Sequence, residues 1–318
     1  MTLRTVFPSS LLLPLAALLP LAALLALAGC GKSQPPAPAA YDGPLRVQAV
    51  NHPLAAMAQR IGGDAVVVGF PAPRGVDPAF WRPTEAQIAV YQEADLILLN
   101  GARYAKWVAR ATLPRRALID TSAGFADQYL ETRAVTHSHG PEGDHSHGGV
   151  AYTTWLDLDQ ATQQAAEILR AILARRPEAE TAATAAFEAL RTELAALDAR
   201  LRAVGAKAPA MVASHPVYGY LARRYGLDLR AMRWAAGAIP EPEAWAALEA
   251  KLARAPASVF LWEAQPAPEA VARLQQLGLK SVVFDPCANA PAEGDFLDVL
   301  TANVERLERA VATDGDDR

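Results

Sequence analysis

Four of the chain's six histidines, His137, His139, His145 and His147, fall in one stretch: Thr136-His137-Ser138-His139-Gly140-Pro141-Glu142-Gly143-Asp144-His145-Ser146-His147-Gly148-Gly149. Paired His-x-His units flanked by glycine can wrap a metal ion, because neutral imidazole is a ready zinc ligand. The plainer alternative is a solvated loop that picks up metal weakly. A second set is scattered further along: His215 in Ser214-His215-Pro216, Glu263 at the end of Phe260-Leu261-Trp262-Glu263, and Asp285 at the end of Val282-Val283-Phe284-Asp285-Pro286. Two buried carboxylates close together repel, and one stays protonated unless a cation neutralises them. A dication resolves that conflict, and imidazole plus carboxylate suits zinc or manganese. Each residue also has an ordinary structural reading. His215 would cap a helix, Glu263 would sit in solvent, and Asp285 would open a turn before Pro286. Two further groups stand nearby in the pattern. His52 follows the first strand and could contribute a ligand or simply start a helix. Cys287 could add a soft ligand beside Asp285 or be a core residue.

The elements that must position these groups alternate. Short apolar runs at 45–50, 65–70, 95–99 and 117–119 read as strands, with helical periods near 53–61, 84–93 and 102–110 between them. Such alternation implies βαβ units and a parallel sheet. A polar loop spans about 132–150. Two helices follow. The first carries Ala161, Ala165, Ile168, Leu169 and Ile172 on one face. The second carries Phe187, Leu190, Leu194, Leu197, Leu201 and Val204, a continuous apolar stripe. That stripe could be a coiled-coil surface, but packing within its own domain is the expectation. The alternation then resumes, with strands at 209–214, 229–233, 258–262 and 281–284 and helices near 217–225, 241–253, 268–277 and 295–311. In open parallel sheets ligands bind beyond the carboxyl ends of strands, and His215, Glu263 and Asp285 all fall there. The fold class is therefore α/β: two Rossmann-like lobes with parallel sheets, joined by one long helix.

The first thirty residues set the compartment. Arg4 supplies a positive charge, residues 10–28 are almost all Leu, Ala and Pro, and Leu27-Ala28-Gly29-Cys30 follows. A short apolar core ending in small residues is a cleaved export signal, and Pro14 and Pro20 disfavour a spanning helix. The run before Cys30 resembles the bacterial lipobox, in which the cysteine is lipidated and begins the mature chain. Pro35, Pro36 and Pro38 lie in a segment with no folding pattern, as a tether requires. The expected division is signal peptide 1–29, lipid-anchored tether 30–44, first lobe 45–176, linking helix 177–205 and second lobe 206–318. Net charge is −4, so nothing basic enough to attract nucleic acid is present. With Cys30 lipidated, Cys287 has no partner for an internal disulfide.

From about Leu45 to Val311 the chain resembles the zinc/manganese substrate-binding proteins of ABC importers. The matching stretches, in order, are Pro53-Leu54 with Ile61-Gly62-Gly63-Asp64, Gly75-Val76-Asp77-Pro78, and Ala94 to Gly101. Trp155-Leu156-Asp157, His215 with Tyr218-Gly219-Tyr220, Glu263, and Asp285-Pro286 continue the series. The resemblance implies that the linking helix is rigid, that the metal site lies between the two lobes, and that His215 and Asp285 ligate the metal. It also implies a monomeric, exported lipoprotein, anchored through Cys30 and facing the periplasm or cell exterior, that serves an ABC permease. Two departures matter. The family usually reads Asp-Pro-His where this chain has Asp77-Pro78-Ala79, and a second histidine two residues before the Trp is here Thr153. The expectation is that one or two of His137, His139, His145 and His147 take their place, with His145 and His147 preferred because they lie nearer Trp155.

The leading function is capture of Zn2+, or Mn2+, without turnover. Its rivals are a stand-alone metallochaperone or zinc buffer, and a secreted zinc hydrolase using Glu263 as base. The hydrolase is disfavoured because no His-Glu-x-x-His motif and no nucleophile elbow occur.

Overall fold

The computed structural model describes residues 43–132, 136–138, 144–146, 149–234 and 238–312; at 136–138 and 144–146 it describes the backbone alone. The export signal, Cys30 and nearly all of the tether therefore lie outside the described residues.

The first lobe is built on β1 (Leu45–Ala49), β2 (Val66–Gly69), β3 (Leu96–Leu99) and β4 (Leu118–Asp120). They pair in the order β2-β1-β3-β4, all parallel, with Leu45 opposite Val66, Val47 opposite Leu96 and Ile97 opposite Leu118. Helix α1 (His52–Gly62) crosses from β1 to β2, and α2 (Glu85–Gln92) leads into β3. Asn51 caps α1 by accepting from Leu54 N at 3.1 Å. Thr84 and Gln87 form a reciprocal capping box on α2. The helix expected near 102–110 is only a 3-10 turn, Lys106–Arg110. Gly101, Ala102 and Arg103 all adopt positive φ, and this left-handed run cannot enter an α-helix.

The stretch expected as a polar loop contains two short antiparallel pairings. β5 (Glu131–Thr132) pairs with β8 (Gly149–Val150), and β6 (Thr136–Ser138) pairs with β7 (Asp144–Ser146). Helix α3 (Leu158–Leu173) then starts on an Asp157 cap. Helix α4 (Glu180–Gly205) is 26 residues long, and its buried stripe of Leu190, Leu194, Leu197, Leu201 and Val204 is the one its sequence spacing sets. The stripe is filled within the chain, by α1 and α3 of the first lobe and by the last helix of the second.

The second lobe repeats the first sheet's topology. β9 (Met211–Ala213), β10 (Leu229–Ala231), β11 (Val259–Trp262) and β12 (Lys280–Val283) pair in the order β10-β9-β11-β12, again all parallel. Helices α5 (Gly219–Tyr225), α6 (Pro242–Arg254), α7 (Pro268–Gln276) and α8 (Phe296–Ala312) complete it. Pro242 and Pro268 occupy first helical positions, where a missing N–H costs nothing. Pro216 does not start α5: residues 215–217 form a turn, closed by Val217 N donating to His215 O at 2.9 Å. One apolar core runs from Val47 and Leu98 through Leu194 and Leu201 to Leu261, Phe284 and Leu300. A second cluster, around Trp234, Trp245, Phe260 and Trp262, packs the far side of the second sheet.

Candidate metal centre

Both strand orders reverse direction at the first strand of each lobe, so a crevice opens at the carboxyl ends of β1 and β3, and of β9 and β11. In the second lobe this places His215, just past β9, and Glu263, just past β11, on the two sides of the switch point. Ser214 ties them together: its N donates to Leu261 O at 2.8 Å, and its Oγ accepts from Glu263 N at 3.4 Å. His215 Nδ1 lies 3.4 Å from Trp234 O. The tautomer that donates there keeps the lone pair on Nε2, the arrangement a metal-ligating histidine uses. Asp285 follows β12 and is held by Asn303. The Asn303 amide donates to Asp285 O at 2.7 Å, and its oxygen accepts from Asp285 N at 3.0 Å.

Electrostatics single out Glu263 as the point of convergence. Its carboxyl is pushed up to about 7, first by burial and then by the negative charges of Asp77 and Asp285. Burial also raises Asp285, opposed by the Cys287 N–H it accepts and by Arg306. Two phenols feel the same charge. Tyr218, which donates to Phe284 O at 2.6 Å, is raised by burial, Glu263 and Asp285. Tyr152 is raised by burial, Asp77 and Glu263. Carboxylates that raise one another's proton affinity have a deficit of positive charge between them, which a dication would supply.

Asp77 belongs to the first lobe, and a reading by strand ends had no means of choosing it as a site residue. It lies on an exposed turn rather than after a strand. Asp77 Oδ1 accepts from Ala79 N at 2.9 Å. Ala79 is buried and offers no donor. Thr153, also buried, donates through Oγ1 to Val217 O at 2.5 Å, directly across to the His215 turn. Neither position supplies an imidazole.

His52 is the first residue of α1, as its helix-start reading expected. Its N donates to Ala288 O at 3.0 Å, and its ring Nδ1 lies 3.5 Å from Cys287 Sγ. Burial lowers its affinity for a proton, against the pull of Asp295. Cys287 is buried, as its core reading expected, and its thiol is pushed up by burial and by Asp285 and Asp295. The segment from Asp285 to Asn289 thus lies as a strap against the first lobe. Trp155 Nε1 donates to Pro286 O at 2.7 Å, and Asn289 Nδ2 donates to both Pro73 O and Val76 O at 2.7 Å.

The histidine-rich stretch rises from a base fixed on both sides. Ala151 N donates to Leu130 O at 2.8 Å, and Tyr220 OH of the second lobe donates to Ala151 O at 2.9 Å. In the backbone register of β6 and β7, His137 stands opposite His145. The side chains of these two, and His139 and His147 altogether, lie outside the described residues. Among the described residues, no three His, Cys, Asp or Glu side chains form a group that could hold a metal ion.

A family model described as ZnuA, zinc-uptake complex component A, periplasmic, matches residues 47–310. The chain belongs to this family. Its members are substrate-binding proteins of metal transport. Among curated proteins the chain is similar to the zinc-binding lipoprotein AdcA of Streptococcus pneumoniae, at 24% identity over 86% of this chain and 57% of that protein. It thus spans only 57% of that relative's length. It is also similar to the high-affinity zinc uptake system protein ZnuA of Bacillus subtilis, at 27% identity over 71% of this chain and 72% of that protein. Among solved structures it resembles the metal-dependent lipoprotein YcdH of Bacillus subtilis. That match has a TM-score of 0.72 and 21% identity, and covers 84% of this chain and 99% of the other. At that identity the likeness bears on the fold, and the two-lobed architecture is shared. No helix among the described residues is long and apolar enough to cross a membrane.

Proposed function

We propose that the chain is an extracytoplasmic binding protein that captures Zn2+, or Mn2+, without turnover and delivers it to an ABC permease. The observation that carries the reading is that the buried Glu263, at the end of the strand beside the one that leads to His215, has its proton affinity raised by Asp285 and by Asp77 of the other lobe, in a chain of a zinc-uptake family. His215 and Asp285 are the second-lobe ligands. Glu263 either binds directly or orients His215 through the Ser214 turn. With Ala79 and Thr153 in the first lobe, one or two of His137, His139, His145 and His147 complete the shell, supplied by the β6–β7 hairpin. Lipidation of Cys30 anchors a monomer whose first folded strand starts at Leu45. The division into tether, two lobes and linking helix at 30–44, 45–176, 177–205 and 206–318 belongs to the same reading, as does the absence of nucleic-acid binding.

The test is metal content of protein purified without chelator, followed by competition titration of His215→Ala and Asp285→Ala. Each should lose zinc affinity strongly, because a four-coordinate site has no spare protein ligand. The zinc-induced rise in melting temperature should shrink in parallel. Wild-type affinity in both variants would remove the inter-lobe site.

A further inference from the structure

The first lobe holds a cavity of about 340 Å³ whose lining includes Ala79 but none of Asp77, His215, Glu263 or Asp285. It opens between the turn after Pro78 and the 3-10 turn Lys106–Arg110. Its deeper wall is made by the buried rings of Trp81 and Trp107, which meet edge to face at 6.2 Å. Trp107 is itself fixed against the buried Tyr91, ring centres 4.7 Å apart, so this wall is rigid. The exposed side chains around the opening are Arg82, Lys106 and Arg110. Lys106 Nζ lies 4.4 Å from the centre of the Phe80 ring and is also drawn by Asp77. Among the described residues the lining contains no carboxylate, and neither Arg82 nor Arg110 has an acidic partner.

An aromatic floor beside two arginines without acidic partners selects a particular kind of molecule. Its flat apolar part is removed from water against Trp81 and Trp107, and its charge meets guanidinium groups that can accept it with two parallel hydrogen bonds. The volume is at the lower end of the range for small-molecule sites. We propose that this cavity is a second binding site, specific for a small aromatic carboxylate, with Arg82 and Arg110 holding the carboxylate and the two tryptophans holding the ring. An inorganic anion would gain only the cationic mouth, and a neutral aromatic only the floor. Neither contact alone explains why both surfaces are built into one cavity.

The experiment titrates the purified full-length protein with benzoate, acetate and inorganic phosphate, followed by calorimetry and tryptophan fluorescence. Benzoate should saturate with Kd of about 1 mM or tighter and quench fluorescence, while acetate and phosphate should not saturate. Arg82→Ala and Arg110→Ala, both on exposed side chains, should each weaken benzoate about tenfold, the scale of one charge-assisted hydrogen bond. Ala111→Leu, which fills the cavity without touching a charge, should abolish binding. Zinc affinity should be unchanged in all three variants. Benzoate that never saturates, phosphate that binds as well as benzoate, or arginine variants that bind like wild type would each overturn the proposal. So would a loss of zinc affinity in those variants, since the cavity would then be part of the metal centre.

Discussion

Replacing Glu263 with Gln tests the electrostatic core of the metal centre, because the two side chains match in shape and differ in charge. In the metal-free fold the carboxyl is raised from 4.5 to about 7, a shift equivalent to roughly 3 kcal/mol at 1.36 kcal/mol per unit. The sign follows from proton uptake. Below pH 4.5 the group is protonated in both states and no penalty exists. As pH rises, the unfolded chain releases its proton first, and stability falls until the folded-state group ionises near pH 7. Above that the loss is complete and constant. Metal-free wild type should therefore lose up to about 3 kcal/mol between pH 4.5 and 7.5, and Glu263→Gln should lose much less, retaining the smaller contribution of Asp285. At pH 8 the metal-free variant should be the more stable protein; with saturating zinc the order should narrow or reverse, because the ion removes the repulsion that the substitution removes. Urea unfolding of chelator-treated protein at pH 5 and pH 8, with and without zinc, measures all four values. Identical pH slopes for wild type and variant would refute the charge-deficit reasoning, whatever the zinc affinity.

Asn289→Ala removes two 2.7 Å bonds to Pro73 O and Val76 O; it should cost about 1–3 kcal/mol in urea unfolding and raise the rate of zinc release, because the strap that begins at Asp285 loses its hold on the first lobe. Changing His137, His139, His145 and His147 together to Ala should weaken zinc binding and flatten its decline below about pH 6.5, where imidazole protonation competes with metal. One tight zinc at wild-type affinity would make the hairpin an accessory scavenger. Cys30→Ser should release intact protein from the membrane fraction without altering zinc affinity, and a wild-type protein found wholly soluble and unacylated would remove the anchor.

The sheets were legible because buried parallel strands such as Leu96–Leu99 and Val259–Trp262 are short, continuous apolar runs that little else produces. Once the strands were placed, their ends identified His215, Glu263 and Asp285. The helical reading of 102–110 failed because Tyr104, Trp107 and Val108 mimic a helical period while the preceding residues turn left-handed, a backbone property with no apolar signature. Asp77 stands in a stretch that carries the family resemblance, but the strand ends could not select it, for a different reason. It lies on an exposed turn of the first lobe, yet its charge reaches Glu263 in the second. The contact of His52 with Cys287 likewise joins positions far apart in sequence, and no local pattern encodes it.

The apolar core that passes through α4 without interruption has a thermodynamic consequence. Domains that unfold independently each own a core, whereas here Leu190, Leu194, Leu197 and Leu201 belong to one cluster with residues of both sheets. A fragment ending at Gly205 would leave part of that cluster facing water and lose the stabilisation it provides. The two lobes are then coupled in unfolding, and the coincidence of transitions followed by different probes measures how tightly. Free energy gained by an ion in the crevice is not confined to the crevice. It should raise the opening cost of amides protected by global unfolding in both lobes.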